Sequence, residues 1–351
     1  MDRNRAFASL DGSRAAGPWA DRGPDPLDPC CSGKFVTTCS VHLSVDLRVP
    51  SLPREGQHFR ASSAISTPGG GYVIAAAARA QGVESWIASP LGTGPNSHVI
   101  RRRMAFDDIE TFVAAVVGDV GVAVSMVDEG GKTASVIAPG VESETSVQLL
   151  DSIDLNAGDV VHISGGDLIG GAEKNVLRDW GANLRPDVKL VLSASPAVEL
   201  VSAETWAPLM QRADIVTMNI REAQALREIL ASELPGAGLR HILRPDAAIV
   251  RRTGSMGCEL QASMGAKNVH LPAYPSALVD TTGVGNTHVA VMCASILKGH
   301  DLVEACRRAN AAGAIEVSRP TAFPVPSAAE IEQTIKDGRV PEECRAQQFG
   351  L

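Results

Sequence analysis

Four short apolar runs constrain this chain more than any other feature: VVHIS at 160–164, KLVLS at 189–193, IVTMN at 215–219 and AAIVRR at 247–252. Strands this short that are apolar on both faces need cover on both faces, which points to a buried parallel sheet. Segments such as KNVLRDWGANL and IREAQALREIL, with helical spacing of apolar residues, lie between them. The last third reads as helix, from TGVGNTHVAVMCASILKG through LVEACRRANAAGAIEVS. Alternating strands and helices predict an α/β fold with a central, mostly parallel sheet flanked by helices.

Two stretches break that alternation. KFVTTCSVHLSVDLRV alternates as a strand and is interrupted by PSLPREGQHF, while VAVSMVDEGGKTASVIAP reads as a hairpin turning at Gly130–Gly131. Segments of roughly 42–66 and 120–138 would thus suit a small β appendage standing off the sheet edge. A glycine triplet, Gly69–Gly71, precedes the alanine-rich helix YVIAAAARAQG. Residues 1–33 are rich in Gly, Pro and Asp with no apolar core, so a disordered extension is expected there, neither signal peptide nor anchor, ahead of one domain over 34–351.

Charge and cysteine usage exclude several classes. A formal net charge of −8 argues against broad attraction to nucleic acid or anionic membranes. No run reaches the ~18 apolar residues of a spanning helix. Seven cysteines, odd in number and without CxxC spacing, suit reduced thiols in a cytoplasmic protein and offer no metal site of their own.

The chemistry gathers at TTGVGNTH, residues 281–288. Thr282 leads into the turn Gly283-Val284-Gly285, which opens an apolar helix. Unpaired amides and the helix dipole suit an anion there, and glycine lets a phosphate approach the backbone. Alone, such a turn is weak evidence. A dinucleotide-dependent oxidoreductase is disfavoured, because its glycine fingerprint would follow the first strand.

The neighbouring segments give the turn its meaning. SVHLSVDLRVPSLPREGQHF, PGGG before an alanine helix, SMVDEGGKTASVIAPG, DIVTMNIREAQAL, DTTGVGN and ANAAGAIEVSRP follow one another in an order and spacing that resemble the ribokinase, or PfkB, family of sugar and nucleoside kinases. The resemblance covers nearly everything after residue 34. It implies a ribokinase-like sheet with a β lid, ATP and Mg2+ as cofactors, a small-molecule alcohol as substrate, and possible homodimerisation through the lid. It places Asp46 at the acid that holds substrate hydroxyls and Gly69 and Gly70 at the substrate-contacting di-glycine. Asn219 and Glu222 fall on the Asn-x-x-Glu motif, with Glu222 organising magnesium indirectly; a helix-capping box is the plain alternative. Thr253, Gly254 and Asn310 fall near the nucleotide, although Arg252 stands where a threonine is common.

Departures from the pattern put catalysis in question. The family's general base is an aspartate directly after the glycine turn, and this chain has Asn286. A carboxamide has no useful basicity, and general-base help is worth about 10²–10⁴-fold. Val73 and Ile74 replace an asparagine, Thr93 and Gly94 an acid, and Ser193 and Ser195 stand where Asp and Asn are common. His288 should not share Asn286's helix face, two residues being about 200° apart. Two readings remain: an ATP-dependent kinase of a sugar, nucleoside or related alcohol with altered or reduced catalysis, and a pseudoenzyme of the same fold that binds a nucleotide or small ligand.

Overall fold

The computed structural model describes residues 27–28, 31, 33–130, 133–169, 175–231, 238–320 and 324–342. Most of the extension expected over 1–33, and the Gly131 half of the expected hairpin turn, lie outside the described residues. The chain runs β1 (Phe35–Thr37), β2 (Val41–Val49), β3 (Ser63–Gly70), α1 (Gly71–Arg79), β4 (Ser85–Ile87), α2 (Pro95–Phe106), β5 (Glu110–Thr111), β6 (Val122–Asp128) and β7 (Thr133–Ala138). It continues with α3 (Val147–Asp151), β8 (Val160–Ser164), α4 (Val176–Ala182), β9 (Lys189–Ser193), α5 (Ala203–Arg212), β10 (Ile215–Asn219) and α6 (Ile220–Ile229). The last elements are β11 (Ala248–Arg252), β12 (Cys258–Gln261), β13 (Val269–Leu271), α7 (Val284–Leu297), α8 (Leu302–Val317) and α9 (Ala328–Asp337).

The large sheet has the order β13-β12-β11-β10-β9-β8-β1-β4-β5. It is parallel from β11 to β5, and β12 and β13 add antiparallel at the edge. Neighbouring strand residues feed opposite cores, which explains the two-sided apolar runs. Phe35, Val160, Val191 and Ile215 pack with α1, α7 and α8 on one face. Val36, Val161, Leu190, Leu192 and Val216 pack on the other with Trp206 of α5, which is wholly buried. Trp206 lies so close to Gly165 that a Cβ there would meet its ring at 2.4 Å.

KFVTTCSVHLSVDLRV is not one strand. It divides between the sheets: β1 sits in the large sheet and β2 in a second sheet of order β3-β2-β6-β7. Tertiary partners cause the break. Ser40 donates its amide to Asp167 (3.0 Å) and Val41 to the Ser89 hydroxyl (3.1 Å), so the backbone leaves one ladder before joining the next. In the small sheet β2 runs parallel to β6, while β3 and β7 pair antiparallel at the two edges. His42, Ser44, Asp46 and Arg48 share one face of β2, and Leu43, Val45 and Leu47 the other. Among the described residues no helix is long and apolar enough to cross a membrane.

Candidate active site

Helix α7 begins on Gly283, whose φ of +80° belongs to the left-handed region that glycine enters freely. Thr287 is the first residue whose amide bonds back along this turn, to the Gly283 carbonyl at 2.9 Å. The amides of Val284, Gly285 and Asn286 are therefore left without intrahelical partners, at the positive end of a fourteen-residue helix. The turn is braced from behind by the Thr282 amide, which donates to Asp280 at 2.9 Å. Asn286, third in the helix, is half-buried at this end.

A cation faces the same turn. Arg252 ends β11, level with Asn219 at the end of β10, and its Nη2 bonds Glu222 at 3.1 Å. Its Nη1 lies 2.4 Å from where a Cβ on Gly285 would be, so the guanidinium rests against the first turn of the helix there. Burial draws the arginine below its ordinary pKa, and Glu222 opposes that. Asn219 and Glu222 form a complete capping box: Glu222 donates its amide to Asn219 Oδ1, and its carboxylate accepts the Asn219 amide, both at 2.8 Å.

The small sheet carries the acid Asp46 on β2. Burial and then the nearby Asp280 push the Asp46 carboxyl above its usual range, with Arg48 opposing. Glu316 of α8 continues this acidic line: its carboxylate oxygen lies 3.3 Å from the Cβ position of Gly283, and Val73 approaches the same point at 3.8 Å. Burial pushes the Glu316 carboxyl up to about 7; Asp280 adds to the shift, and Arg319 and the Thr287 hydroxyl oppose it. Gly70 is forced to be glycine by the chain itself, and Gly69 sits tight against its neighbours. A Cβ on Gly69 would meet the Ser44 hydroxyl at 2.1 Å, and one on Gly70, where φ is +61°, the Ser40 carbonyl at 2.2 Å. His42 covers both glycines, its pKa lowered by burial despite Glu142. Asp167 flanks them through Ser40, with burial pushing its carboxyl up to about 6.

Several residues singled out by sequence turn inward. Asn310 donates to the carbonyls of Leu271 (2.9 Å) and Pro272 (3.2 Å), and its oxygen meets His288 Nε2 at 3.2 Å. Its amide is thereby committed to the protein and supports the 271–272 segment instead of reading a base directly. Thr253 bonds the Gly257 carbonyl with both amide and hydroxyl, shaping the turn through Gly254, whose φ is +63°. Ser193 meets His162 Nε2 at 2.8 Å, and the other ring nitrogen meets Thr37 at 3.1 Å. Burial, then the Arg252 charge, lowers His162 to about 3, so this imidazole is a neutral link between β1, β8 and β9. Ser195 caps its own turn through the Ala197 amide. Gly94 packs against an acid from elsewhere in the chain, which is spent on capping a helix. Asp119 lies 2.4 Å from the Cβ position and caps α2 by accepting the Asn96 and Ser97 amides.

Arg252, as a charge against the α7 turn, and Glu316 and Asp167, as buried acids beside Gly283 and Ser40, are what sequence reasoning missed. Glu316 leaves one trace, a lone acid in the apolar run AAGAIEV. Asp167 leaves another, an acid just past a buried strand and two glycines. Glu222 is engaged by Arg252 and by the Asn219 amide, and among the described residues no three His, Cys, Asp or Glu side chains cluster as metal ligands.

Comparison with known proteins gives the family and the fold. Residues 39–327 match the pfkB family carbohydrate kinases. The chain is 27% identical over 240 residues to the uncharacterized sugar kinase YegV of Escherichia coli (strain K12), spanning 68% of this chain and 74% of that one. Its structure superposes on the ribokinase of Thermotoga maritima with a TM-score of 0.70 at 18% identity, over 86% of this chain and 99% of that one. Superposition on Arabidopsis thaliana ribokinase, solved with ribose and ATP, gives 0.65 at 21% identity, over 90% and 99%. The fold is therefore ribokinase-like, with the small sheet in the place of a lid.

Proposed function

Because this chain belongs to the pfkB family of carbohydrate kinases, we propose that it transfers the γ-phosphoryl group of ATP to an alcohol of a sugar, nucleoside or related small molecule, at a rate lowered by Asn286. The observation that carries this reading is the α7 N-terminus, where the amides of Val284, Gly285 and Asn286 lack intrahelical partners at the positive end of the helix. Asp46 would hold substrate hydroxyls, since a carboxylate accepts such bonds strongly. The amides of 284–286 would hold the transferring phosphoryl group. The alcohol oxygen forms the new bond to the γ-phosphorus, and the bond from that phosphorus to the β–γ bridging oxygen breaks. Its electron pair leaves on ADP. With no carboxylate at 286, the alcohol's proton passes to a phosphoryl oxygen or to water. Positioning and charge carry most of such a reaction, so turnover survives the loss of a base. Magnesium enters on the phosphates of ATP, as part of the co-substrate.

ATP consumption and product mass across sugars and nucleosides test this. Asp46→Asn is expected to raise KM for the accepted alcohol about 10- to 100-fold, the worth of a lost charge-assisted hydrogen bond, with KM for ATP little changed. Turnover that is indifferent to Asp46→Asn would remove the lid acid from the site. The pseudoenzyme reading is favoured by one feature, Asn286. ATP binding by calorimetry without turnover of any substrate would establish it.

A homodimer through the lid is part of the proposal. The lid face opposite Asp46 carries Leu43, Val45, Val122, Val124 and Val136, none of them fully buried, and a second copy would cover it. Val124→Asp is expected to convert a dimer into a monomer in light scattering while ATP affinity stays within about twofold, and a wild type that is monomeric at every concentration would refute the dimer.

A further inference from the structure

We infer that Arg252 is the cationic clamp on the phosphate chain, held by Glu222 and presented to the first turn of α7. This rests on the kinase reading above and adds to it a residue specific to this chain. Three observations lead to it.

The first is contact. Nη1 lies so close to Gly285 that any side chain there would displace it, so the guanidinium occupies the same turn that offers the phosphate amides. The second is incomplete pairing. A guanidinium has five N–H donors, yet among the described residues Arg252 makes a single hydrogen-bonded ion pair, through Nη2 to Glu222, and its buried Nε has no partner. Glu222 has spent part of its capacity on the Asn219 amide, which fixes the carboxylate and thereby the arginine. The third is charge. A guanidinium remains charged in proteins, and a helix N-terminus carries roughly half a positive charge. A cation laid against the positive end of α7 is repelled by it until an anion lies between them.

An anion bound there would meet Val284, Gly285 and Asn286 amides on one side and Nη1 of Arg252 on the other. The clamp thus stabilises charge on the transferring phosphoryl group, the contribution that matters most in phosphoryl transfer. It also offsets, by charge, part of what Asn286 forfeits in basicity. Glu222 acts as a positioning residue through Arg252.

The test is binding of AMP and of a non-hydrolysable ATP analogue, by calorimetry, to wild type, Arg252→Gln and Arg252→Lys, with kcat measured alongside for wild type and both variants. Arg252→Gln is expected to weaken the analogue at least about tenfold and leave AMP unchanged, and to lower kcat without changing KM for the alcohol. Arg252→Lys, which keeps a charge but loses the fork, is expected to fall between them. A purely structural arginine would weaken AMP and the analogue alike, or neither, and either result overturns the inference. Should Arg252→Gln fail to fold, Gly285→Ala serves, since its methyl would push the guanidinium from the turn; unchanged analogue binding in that variant is equally fatal. A wild type that binds neither nucleotide overturns the kinase reading and this inference with it. Wild-type binding that Arg252→Gln retains in full overturns this inference alone.

Discussion

Asn286→Asp is expected to raise kcat by about 10²–10⁴-fold, with KM for ATP changed little, because it restores a carboxylate where a proton must leave. The variant should fold. Position 286 is the third residue of α7 and half-buried, and an acid in the first turn of a helix is favoured by the dipole. It should also stay ionised near neutral pH, since the helix end and Arg252 both favour the charged form. Single-turnover kinetics separate the step from product release. A gain confined to kcat identifies proton removal as the lost function. Equal rates in both proteins would mean that deprotonation does not limit this reaction, and would remove Asn286 as the cause of any slowness. A silent wild type beside an active variant would assign the natural protein to the pseudoenzyme class.

The sheet was legible because its signal is local. Apolar runs such as VVHIS and KLVLS carry residues for both cores, and no distant partner is needed to see that. The glycine turn at 283–285 was legible for the same reason. What escaped depends on residues far apart in the chain. The division of KFVTTCSVHLSVDLRV is set by Asp167 and Ser89. Ser193 reads as a lost polar contact until His162 is found bonded to it. That Gly94 makes room for Asp119, the α2 cap from another segment, is likewise invisible in sequence. Gly69, Gly70 and Gly285 read as room for a ligand, and each proves also to be room for a neighbour in the protein. A glycine in sequence reports that something comes close; it does not say what.

Glu316→Gln is expected to stabilise the protein in a pH-dependent way, with the difference from wild type growing between pH 4.5 and about 7. The folded carboxyl holds its proton up to about 7, against an ordinary value of 4.5. Below 4.5 both folded and unfolded chains are protonated, and the contribution is fully present. Between the two values the folded state keeps a proton that the unfolded state has released, so rising pH favours unfolding. Above 7 the contribution is gone. Glutamine does not titrate, so the variant escapes this loss, which amounts to roughly 1–3 kcal/mol once solvent screening of a half-buried group is allowed for. Urea denaturation of both proteins at pH 5 and pH 8 measures it, and parallel stabilities at the two pH values would refute the shifted carboxyl. The same titration bears on the site. Glu316 lies against Gly283, so its charge, once formed, opposes a phosphate at the α7 amides. Affinity for an ATP analogue should accordingly fall in wild type as pH rises through 7 and hold steadier in Glu316→Gln, which would tie an unforeseen acid to the anion site.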